Sequence, residues 1–459
     1  MDGETSATMS DDRAAEPDSG LRRPRRLRPP APSPQHPVPR IGYGCSLSGA
    51  FNVAGQVLDA VAVMHGDPGC AHLNVATHFG TDLRGLSGEP GESPLLVASR
   101  LLSSGLRQRD VVLGGEEKLR AAILDAERRF RPALILVITA CVAEIVGDDL
   151  PAILAGLRKQ VRAPILHLPS GGVCSGSFAT GMAAAYRTLV EELVEPRQPR
   201  EAHTVNVLAE KNLHVGEERE FQEVERLLSG LGVRVRGRLI RRTTVEAIRG
   251  AGGAALNLLC DEEHGLDLAR LLQERTGVPY LDRAYPSGRG ATAAWLRAVG
   301  VALGLEREAE KAVATEEAAY WRGVAVLRPA LEGRRLVANL GVADPAWLLE
   351  LAADAGLRVV KVNFFGGPNE TVLAAIEGRG TPWAAEVGPA EAVAETAELR
   401  PDLALFPYGQ TRPLPSTSTR SLPSLPPTGY RTLGELAVWA RLARRPGTEG
   451  WRRGTRLTG

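Results

Sequence analysis

Residues 132–150 read P-A-L-I-L-V-I-T-A-C-V-A-E-I-V-G-D-D-L, and this stretch predicts a buried strand that leads through a cysteine into a helix. Every residue from Leu134 to Thr139 carries a large apolar or β-branched side chain, without the alternation of a half-exposed strand. Such a run is typical of a central strand in a parallel sheet, buried on both faces. Cys141 follows at the carboxyl end of the strand, where open α/β sheets bind their ligands.

The same pattern recurs along the chain. Further apolar runs occupy residues 60–66, 163–170, 203–209, 254–260, 334–341, 357–364 and 401–409. The longer stretches between them are amphipathic and predict crossover helices. The predicted fold class is therefore α/β, with Rossmann-like, doubly wound parallel sheets.

The chain is long enough for several such units, with 459 residues of which 44% are hydrophobic. Residues 1–40 are rich in Pro and Arg and poor in large apolar side chains, which predicts a disordered tail. Charged connectors divide the remainder into three predicted Rossmann-like domains, at 41–198, 199–320 and 321–459. The first of them carries Cys45, Cys70 and Cys141.

Charge and composition exclude several classes of function. The formal net charge is +1, so no basic surface for nucleic acid or anionic membranes is indicated. No uncharged apolar run reaches the ~18 residues of a membrane span, and no signal peptide is recognisable, so we expect a cytoplasmic protein. Five cysteines, an odd number, argue against a disulfide framework.

Of Cys45, Cys70 and Cys141, the first two follow a glycine directly, in G-Y-G-C-S and D-P-G-C-A. Glycine allows the backbone to approach a bulky ligand closely. The spacing is not that of C-x-x-C zinc or ferredoxin motifs, so the thiols would have to converge through the fold. They are either buried structural thiols or ligands of an iron–sulfur cluster, which three thiolates would leave incomplete and which would then lie at a subunit interface.

Three histidines surround Cys70, namely His65, His72 and His78. A zinc site of Cys70 with these histidines is conceivable, but their spacing is irregular. Packing at a strand end for His65, and hydrogen bonding within the loop for His72 and His78, are the alternatives that we favour.

Several motifs resemble those of the nitrogenase component 1 family. They are G-Y-G-C-S-L-S-G-A, V-M-H-G-D-P-G-C-A-H, D-V-V-L-G-G-E-E-K-L, I-T-A-C-V-A-E-I-V-G-D-D-L and P-S-G-G-V-C-S-G-S-F-A-T-G. The resemblance is strong over about residues 41–185, and it is closer to the β-type subunits of the family than to the α-type. Local sequence alone indicates only a turn and helix start for G-G-E-E-K-L, with a structural role.

The resemblance implies a set of site residues. Cys45, Cys70 and Cys141 match the cysteines that hold one subunit's half of the interfacial P-cluster, of 8Fe-7S or 4Fe-4S type. Ser177, with Ser175 as the neighbouring choice, lies near a β-type serine that can ligate the oxidised cluster. Cys174 is an additional thiol in the same loop, and a plain loop thiol is the simpler interpretation.

The resemblance also implies partners: an α-type subunit in an α2β2 heterotetramer, and a homodimeric ATP-dependent iron–sulfur reductase protein. This sequence has no G-x-x-x-x-G-K-[ST] phosphate loop of its own. The active-site cofactor is then expected in the α-type partner. Cys260 could match the α-type cofactor cysteine, but Asp261, Glu262 and Glu263 follow it, which disfavours an anionic cluster.

Two subfamilies and one unrelated class remain open from the sequence. No histidine follows His264, so the carboxy-terminal histidine ligand of dinitrogen-reducing α-type chains has no counterpart. We therefore expect a reductase of the methylthio-alkane type, which cleaves a carbon–sulfur bond. The alternatives are a scaffold for assembly of the iron–molybdenum cofactor and a metal-free nucleotide or sugar binder, for which no G-x-G-x-x-G fingerprint is present.

Overall fold

A computed structural model describes residues 44–85, 100–212, 216–341, 345–368, 370–407, 413–414, 416–423 and 425–443. The predicted tail, residues 1–40, lies outside this part of the chain. Within it, strands and helices alternate, and each strand pairing is parallel. The predicted α/β fold class with doubly wound parallel sheets is confirmed.

The described strands form three sheets. The first contains β1 (Ala60–His65), β2 (Leu101–Ser103), β3 (Leu134–Thr139) and β4 (Ile165–Leu168) in the order β2-β1-β3-β4. The second contains β5 (Glu201–Leu208), β6 (Arg234–Leu239), β7 (Ala254–Leu259) and β8 (Tyr280–Leu281) in the order β6-β5-β7-β8. The third contains β9 (Arg335–Leu340), β10 (Arg358–Phe364), β11 (Trp383–Ala384), β12 (Leu403–Phe406) and β13 (Ser418–Ser421) in the order β11-β10-β9-β12-β13.

Helices connect and cover these strands. They are α1 (Ser46–Ala54), α2 (Pro68–Gly85), α3 (Gln108–Leu113), α4 (Glu116–Phe130), α5 (Cys141–Val146), α6 (Leu150–Leu157), α7 (Phe178–Leu193), α8 (Glu217–Ser229), α9 (Val245–Arg249), α10 (Glu262–Thr276), α11 (Arg289–Leu303), α12 (Glu306–Leu327), α13 (Ala346–Asp354), α14 (Glu370–Glu377), α15 (Pro389–Leu399) and α16 (Thr432–Ala443). Helix α12 runs across the predicted domain boundary at 320/321, and the three boundaries remain predictions.

Each predicted apolar run contains a strand, and the strands that the runs missed are all at sheet edges. They are β2, β6, β8, β11 and β13. An edge strand needs no continuous apolar run because less of it is covered by neighbours. The sequence of β6, R-V-R-G-R-L, is accordingly half polar.

The order of strands reverses beside the first strand of each sheet. In the first sheet the reversal lies between β1 and β3, and in the second it lies between β5 and β7. Crevices at the carboxyl ends of such strand pairs are where doubly wound folds bind ligands. The residues that follow His65, Thr139, Leu208 and Leu259 are therefore candidates for ligand binding.

Helices α1 and α7 pack closely against each other. A Cβ at Gly49 would overlap the carbonyl oxygen of Phe178, and one at Gly181 would overlap the carbonyl oxygen of Ser46. Their apolar faces join residues of the first two sheets in one core, including Phe51 and Leu189. The crossing thus sets where the first residues of both helices lie.

Candidate metal centre

Cys45, Cys70 and Cys141 each lie at the start of a helix. Cys45 is the N-cap of α1, Cys70 lies in the first turn of α2, and Cys141 is the first residue of α5. Strands β1 and β3 lead into α2 and α5, so Cys70 and Cys141 stand at the carboxyl ends beside the reversal of strand order. All three thiols are partly accessible to solvent.

The fold brings these cysteines into one electrostatic environment. Burial raises the pKa of the Cys70 thiol, and the neighbouring Cys141, Asp67 and Cys45 raise it further. Each added negative charge disfavours another thiolate nearby, so the three thiols need a cation to ionise together. A bound metal supplies that charge, because a coordinating thiol is deprotonated outright.

A single metal ion does not account for this arrangement. Within the described ranges, no three His, Cys, Asp or Glu side chains converge closely enough to hold one ion. His72 points to solvent and His65 is fully buried, while the side chain of His78 lies outside the described part. The zinc alternative therefore gains no support from the geometry.

The loop at residues 170–177 contacts both the start of α1, next to Cys45, and the backbone of Cys141. The hydroxyl of Ser46 donates to the carbonyl oxygens of Ser170 and Gly172. Gly172 has a φ of +54°, and a Cβ there would lie 2.8 Å from the backbone nitrogen of Cys141. Glycine is thus required where the loop passes Cys141.

Ser177, the predicted cofactor-binding serine, lies beside Cys45. The two residues form an isolated antiparallel bridge, and the backbone amide of Ser46 donates to the carbonyl oxygen of Gly176. The Ser177 side chain caps α7 and accepts from the amide of Thr180 at 3.4 Å. Its position is consistent with the predicted role, which remains a prediction.

The other two cysteines differ from this group in their exposure to solvent. Cys174 is exposed in a short 3-10 helix, Gly172–Ser175, of the same loop. Cys260 lies at the end of β7 in the second sheet and is only 8% exposed. Its thiol donates to Oε1 of Glu217 at 3.1 Å, and burial together with Glu217 and Glu210 holds its pKa well above the usual range.

A buried charge cluster lies near Cys260, and it was not predicted from the sequence. Arg238 donates to both carboxylate oxygens of Glu210, at 2.8 and 2.5 Å, and to those of Glu218, at 2.9 and 3.0 Å. These residues come from β6, the end of β5 and α8. The acidic run E-E-R-E in α8 was the only local signal, and it is equally typical of a solvated first helical turn.

Large apolar side chains are exposed around the three thiols. Leu73 follows Cys70 on α2, Ile145 follows Cys141 on α5, and Val173 precedes Cys174. Val112 and Leu113, at the end of α3, are also exposed, and α3 packs against α5. We call Leu73, Val112, Leu113, Ile145 and Val173 the apolar face. Clustered exposed apolar side chains are typical of interaction surfaces.

Comparison with known proteins decides the family. The model of the family described as nitrogenase component 1 type oxidoreductase matches residues 45–405. The chain belongs to the nitrogenase component 1 family. The match contains all three clustered cysteines, and iron–sulfur clusters are what membership in this oxidoreductase family implies.

Relatives and solved structures agree with this membership. The chain is 28% identical over 322 residues to the nitrogenase iron-molybdenum cofactor biosynthesis protein NifE of Nostoc sp. strain PCC 7120, covering 69% of this chain and 64% of NifE. It is 27% identical to NifE of Klebsiella pneumoniae, covering 69% of each protein. A structure of nitrogenase Cp1 at pH 5 superposes with a TM-score of 0.66 at 20% identity, over 90% of this chain and 89% of that one, and supports the fold.

The match spans slightly less than two thirds of the Nostoc relative. Among the described helices, none is long and apolar enough to cross a bilayer. The cytoplasmic location remains a prediction.

Proposed function

We propose that this chain is the β-type subunit of a nitrogenase-like reductase and that Cys45, Cys70 and Cys141 hold its half of a P-cluster-like iron–sulfur cluster. The observation that carries the proposal is the meeting of three partly exposed thiols beside the strand reversal of the first sheet. Three thiolates are an incomplete set for such a cluster, so a second chain would supply the rest.

The residues present suit such a group. Thiolates are the usual protein ligands of iron–sulfur clusters, and Gly172 leaves the backbone close to Cys141 where a side chain would intrude. Cys45 is the N-cap of α1, and the positive end of the helix dipole there favours a thiolate. When bound, the cluster would supply one-electron transfer at low potential. The chain itself contributes the thiolates, their spacing and, through the hydroxyl of Ser177, one further oxygen beside Cys45.

The apolar face supports a partner at this site. Ile145, 71% exposed, stands one helical turn beyond Cys141, and Leu73 stands one turn beyond Cys70. Covering these side chains with an α-type subunit would bury apolar area and exclude water from the thiols at once. An α2β2 heterotetramer is the assembly that we propose.

The surroundings of Cys260 support placing the substrate-reducing cofactor in the α-type partner. Its thiol is engaged with Glu217, and Glu210 and Glu218 are paired with Arg238 in the same region. A large anionic cofactor there would face three carboxylates at close range. Electrons would come from a homodimeric ATP-dependent reductase protein, since this sequence contains no Walker A loop.

Reductive cleavage of a carbon–sulfur bond, as in methylthio-alkane reductases, is the reaction that we favour. It rests on departures from the dinitrogen-reducing pattern, which include the additional cysteine, Cys174, in the loop before Ser177. A scaffold for cofactor assembly is the second candidate, because the relatives named above are cofactor biosynthesis proteins.

Iron and acid-labile sulfide in the anaerobically purified complex test the cluster. We expect Cys70→Ala to lose most of the iron attributable to the cluster, because it removes one of three thiolates. Cys174→Ala, a thiol of the adjoining loop, is the matched control and should retain the wild-type content. Equal iron in wild type and Cys70→Ala would contradict the proposal.

A turnover assay separates the two candidates. A reductase should form product from methylthio-alkanes over many cycles, and only with ATP and the reductase protein. A scaffold should form none, and it should instead release a cluster to an apo-acceptor protein. Transfer without turnover would replace the first candidate by the second.

A further inference from the structure

A buried histidine lies beneath the loop that carries Cys70. His65 is the last residue of β1 and has no exposed surface. Its Nε2 lies 3.0 Å from Oδ2 of Asp148, and its Nδ1 lies 2.9 Å from Oγ of Ser104. Burial lowers the pKa of His65 more than Asp148 raises it, so the ring is neutral near pH 7. Nε2–H then donates to Asp148, and the Ser104 hydroxyl donates to Nδ1.

Asp148 connects this histidine to a third segment of the chain. The backbone amide of Gly115 donates to both carboxylate oxygens of Asp148, each at 3.0 Å. A Cβ at Gly115 would lie 2.6 Å from Cδ2 of Leu106, 2.7 Å from Oδ2 of Asp148 and 2.8 Å from Cε1 of His65. The second glycine of G-G-E-E-K-L is therefore required by this contact.

The same network reaches the segments of both thiols. The amide of Ala140, the residue before Cys141, donates to the carbonyl oxygen of His65 at 2.9 Å. The amide of Gly66, at the start of the loop to Cys70, donates to Oγ of Ser104 at 3.2 Å. Helix α5 starts at Cys141 and ends just before Gly147, which leads directly to Asp148. The His65–Asp148 contact thus closes a ring that contains the helix of Cys141, and the segment that leads to Cys70 leaves this ring directly after His65.

We propose that His65 and Asp148 form a positioning pair that sets the separation and orientation of the Cys70 and Cys141 thiolates. The inference rests on the proposed function, since it assigns the pair a role towards the same cluster. Both nitrogens of His65 and both oxygens of Asp148 have hydrogen-bond partners in the protein, so we assign the pair a positioning role and not a ligand role. The carboxylate of Asp148, seven residues beyond Cys141, would also disfavour addition of an electron to the cluster through its negative charge.

Residues that orient ligands are expected to alter metal retention by roughly 10- to 100-fold when replaced. The first measurement is the rate at which a ferrous-iron chelator removes iron from the anaerobic complex. We expect His65→Leu to accelerate the loss by about tenfold or more. His65→Gln, which keeps one donor, should recover part of the difference. The matched control is Asn339→Leu, because Asn339 is equally buried and hydrogen-bonded in the third sheet.

The second measurement is the midpoint potential of the cluster. Asp148→Asn keeps the shape of the side chain and removes its charge, so we expect the potential to rise. A simple loss of packing would lower the melting temperature without moving the potential in this direction. Asp148→Asn also tests the inference if His65→Leu does not fold.

Two outcomes would overturn the inference: iron loss from His65→Leu no faster than from Asn339→Leu, or an unchanged potential in Asp148→Asn. In either case, iron loss from Cys70→Ala would show that the proposed function still stands. If Cys70→Ala also keeps its iron, the proposed function itself fails.

Discussion

At the scale of single residues, Glu217 shows how burial changes the pKa of a carboxyl group. It is 1% exposed and accepts from the Cys260 thiol and from the amide of Lys211. Burial raises its pKa, the charge of Glu210 raises it further, and the hydrogen bonds only partly oppose this. Glu218, one residue later, has a lowered pKa, because its bonds to Arg238 and the nearby arginines outweigh its burial.

These shifts have opposite signs in the pH dependence of stability. The folded state holds the proton of Glu217 more tightly than the unfolded state does. The contribution of Glu217 to the free energy of unfolding is therefore fully present below the ordinary pKa of 4.5. It is lost as pH rises through the pKa of the folded state. Glu218 contributes above its ordinary pKa of 4.5, and that contribution is lost as pH falls through its lower folded value.

We expect Glu217→Gln to lose less stability than wild type as pH rises from 4.5 towards neutrality, because glutamine cannot ionise. Thermal melting across this range measures the difference. Glu218→Gln is the matched control and should be less stable than wild type at neutral pH, because it gives up a charge-assisted pair with Arg238. A parallel pH profile for Glu217→Gln and wild type would show that Glu217 does not titrate in this way.

At the scale of elements, the crossing of α1 and α7 determines where Cys45 and Ser177 lie. The backbones of α1 and α7 are in contact at Gly49 and at Gly181. A change in the separation of the two helices would therefore displace the first residues of both. Cys45 is the N-cap of α1, and Ser177 is the N-cap of α7. The geometry of the metal centre therefore depends on two glycines that carry no chemistry themselves.

Gly181→Ala should destabilise the chain by about 1–3 kcal/mol or more, because its Cβ would overlap the carbonyl oxygen of Ser46 rather than a flexible side chain. It should also lower the iron content of the complex by displacing Cys45. Gly434→Ala in α16 is the control, since nothing lies within 4 Å of its Cβ position. That variant should gain roughly 0.4–1 kcal/mol. Urea unfolding measures the stability of both variants, and equal changes in stability would contradict the close packing of α1 against α7.

At the scale of the whole molecule, the apolar face lies on segments that follow the carboxyl ends of the strands of the first sheet, as do Cys70 and Cys141. Ile145 and Leu73 follow the cysteines along their helices, so covering the thiols also covers these side chains. Alone, the chain would expose both the apolar groups and the metal ligands to solvent. Association and protection of the cluster are therefore expected to be the same event.

We expect Ile145→Glu to weaken association with the α-type subunit by roughly tenfold or more, about 1.4 kcal/mol, because it buries a charge at the interface. Val326→Glu is the control, since Val326 is 72% exposed on α12, away from the thiols. Neither substitution should shift the melting of the separate chain appreciably. Sedimentation of mixed subunits measures the affinity, and equal affinities would place the interface elsewhere.

The sequence by itself determined the class of fold, the central strands and the candidate cysteines Cys45, Cys70 and Cys141. Strands such as β3 are buried on both faces, so the requirement for apolar side chains is local and readable. Edge strands such as β6 carry no such requirement and were missed. The cysteines, and the glycines Gly44 and Gly69 that precede two of them, can likewise be read directly from the sequence.

Only the tertiary structure decided which side chains meet. Cys70 and Cys141 lie close together because the neighbouring parallel strands β1 and β3 end at the same edge of the sheet. The packing of α1 against α7 adds Cys45 to them. The contact of Cys260 with Glu217 joins residues from different elements, and no local pattern encodes it. Propensity and periodicity act over neighbouring residues, whereas burial, charge pairing and ligand convergence are set by packing between distant segments.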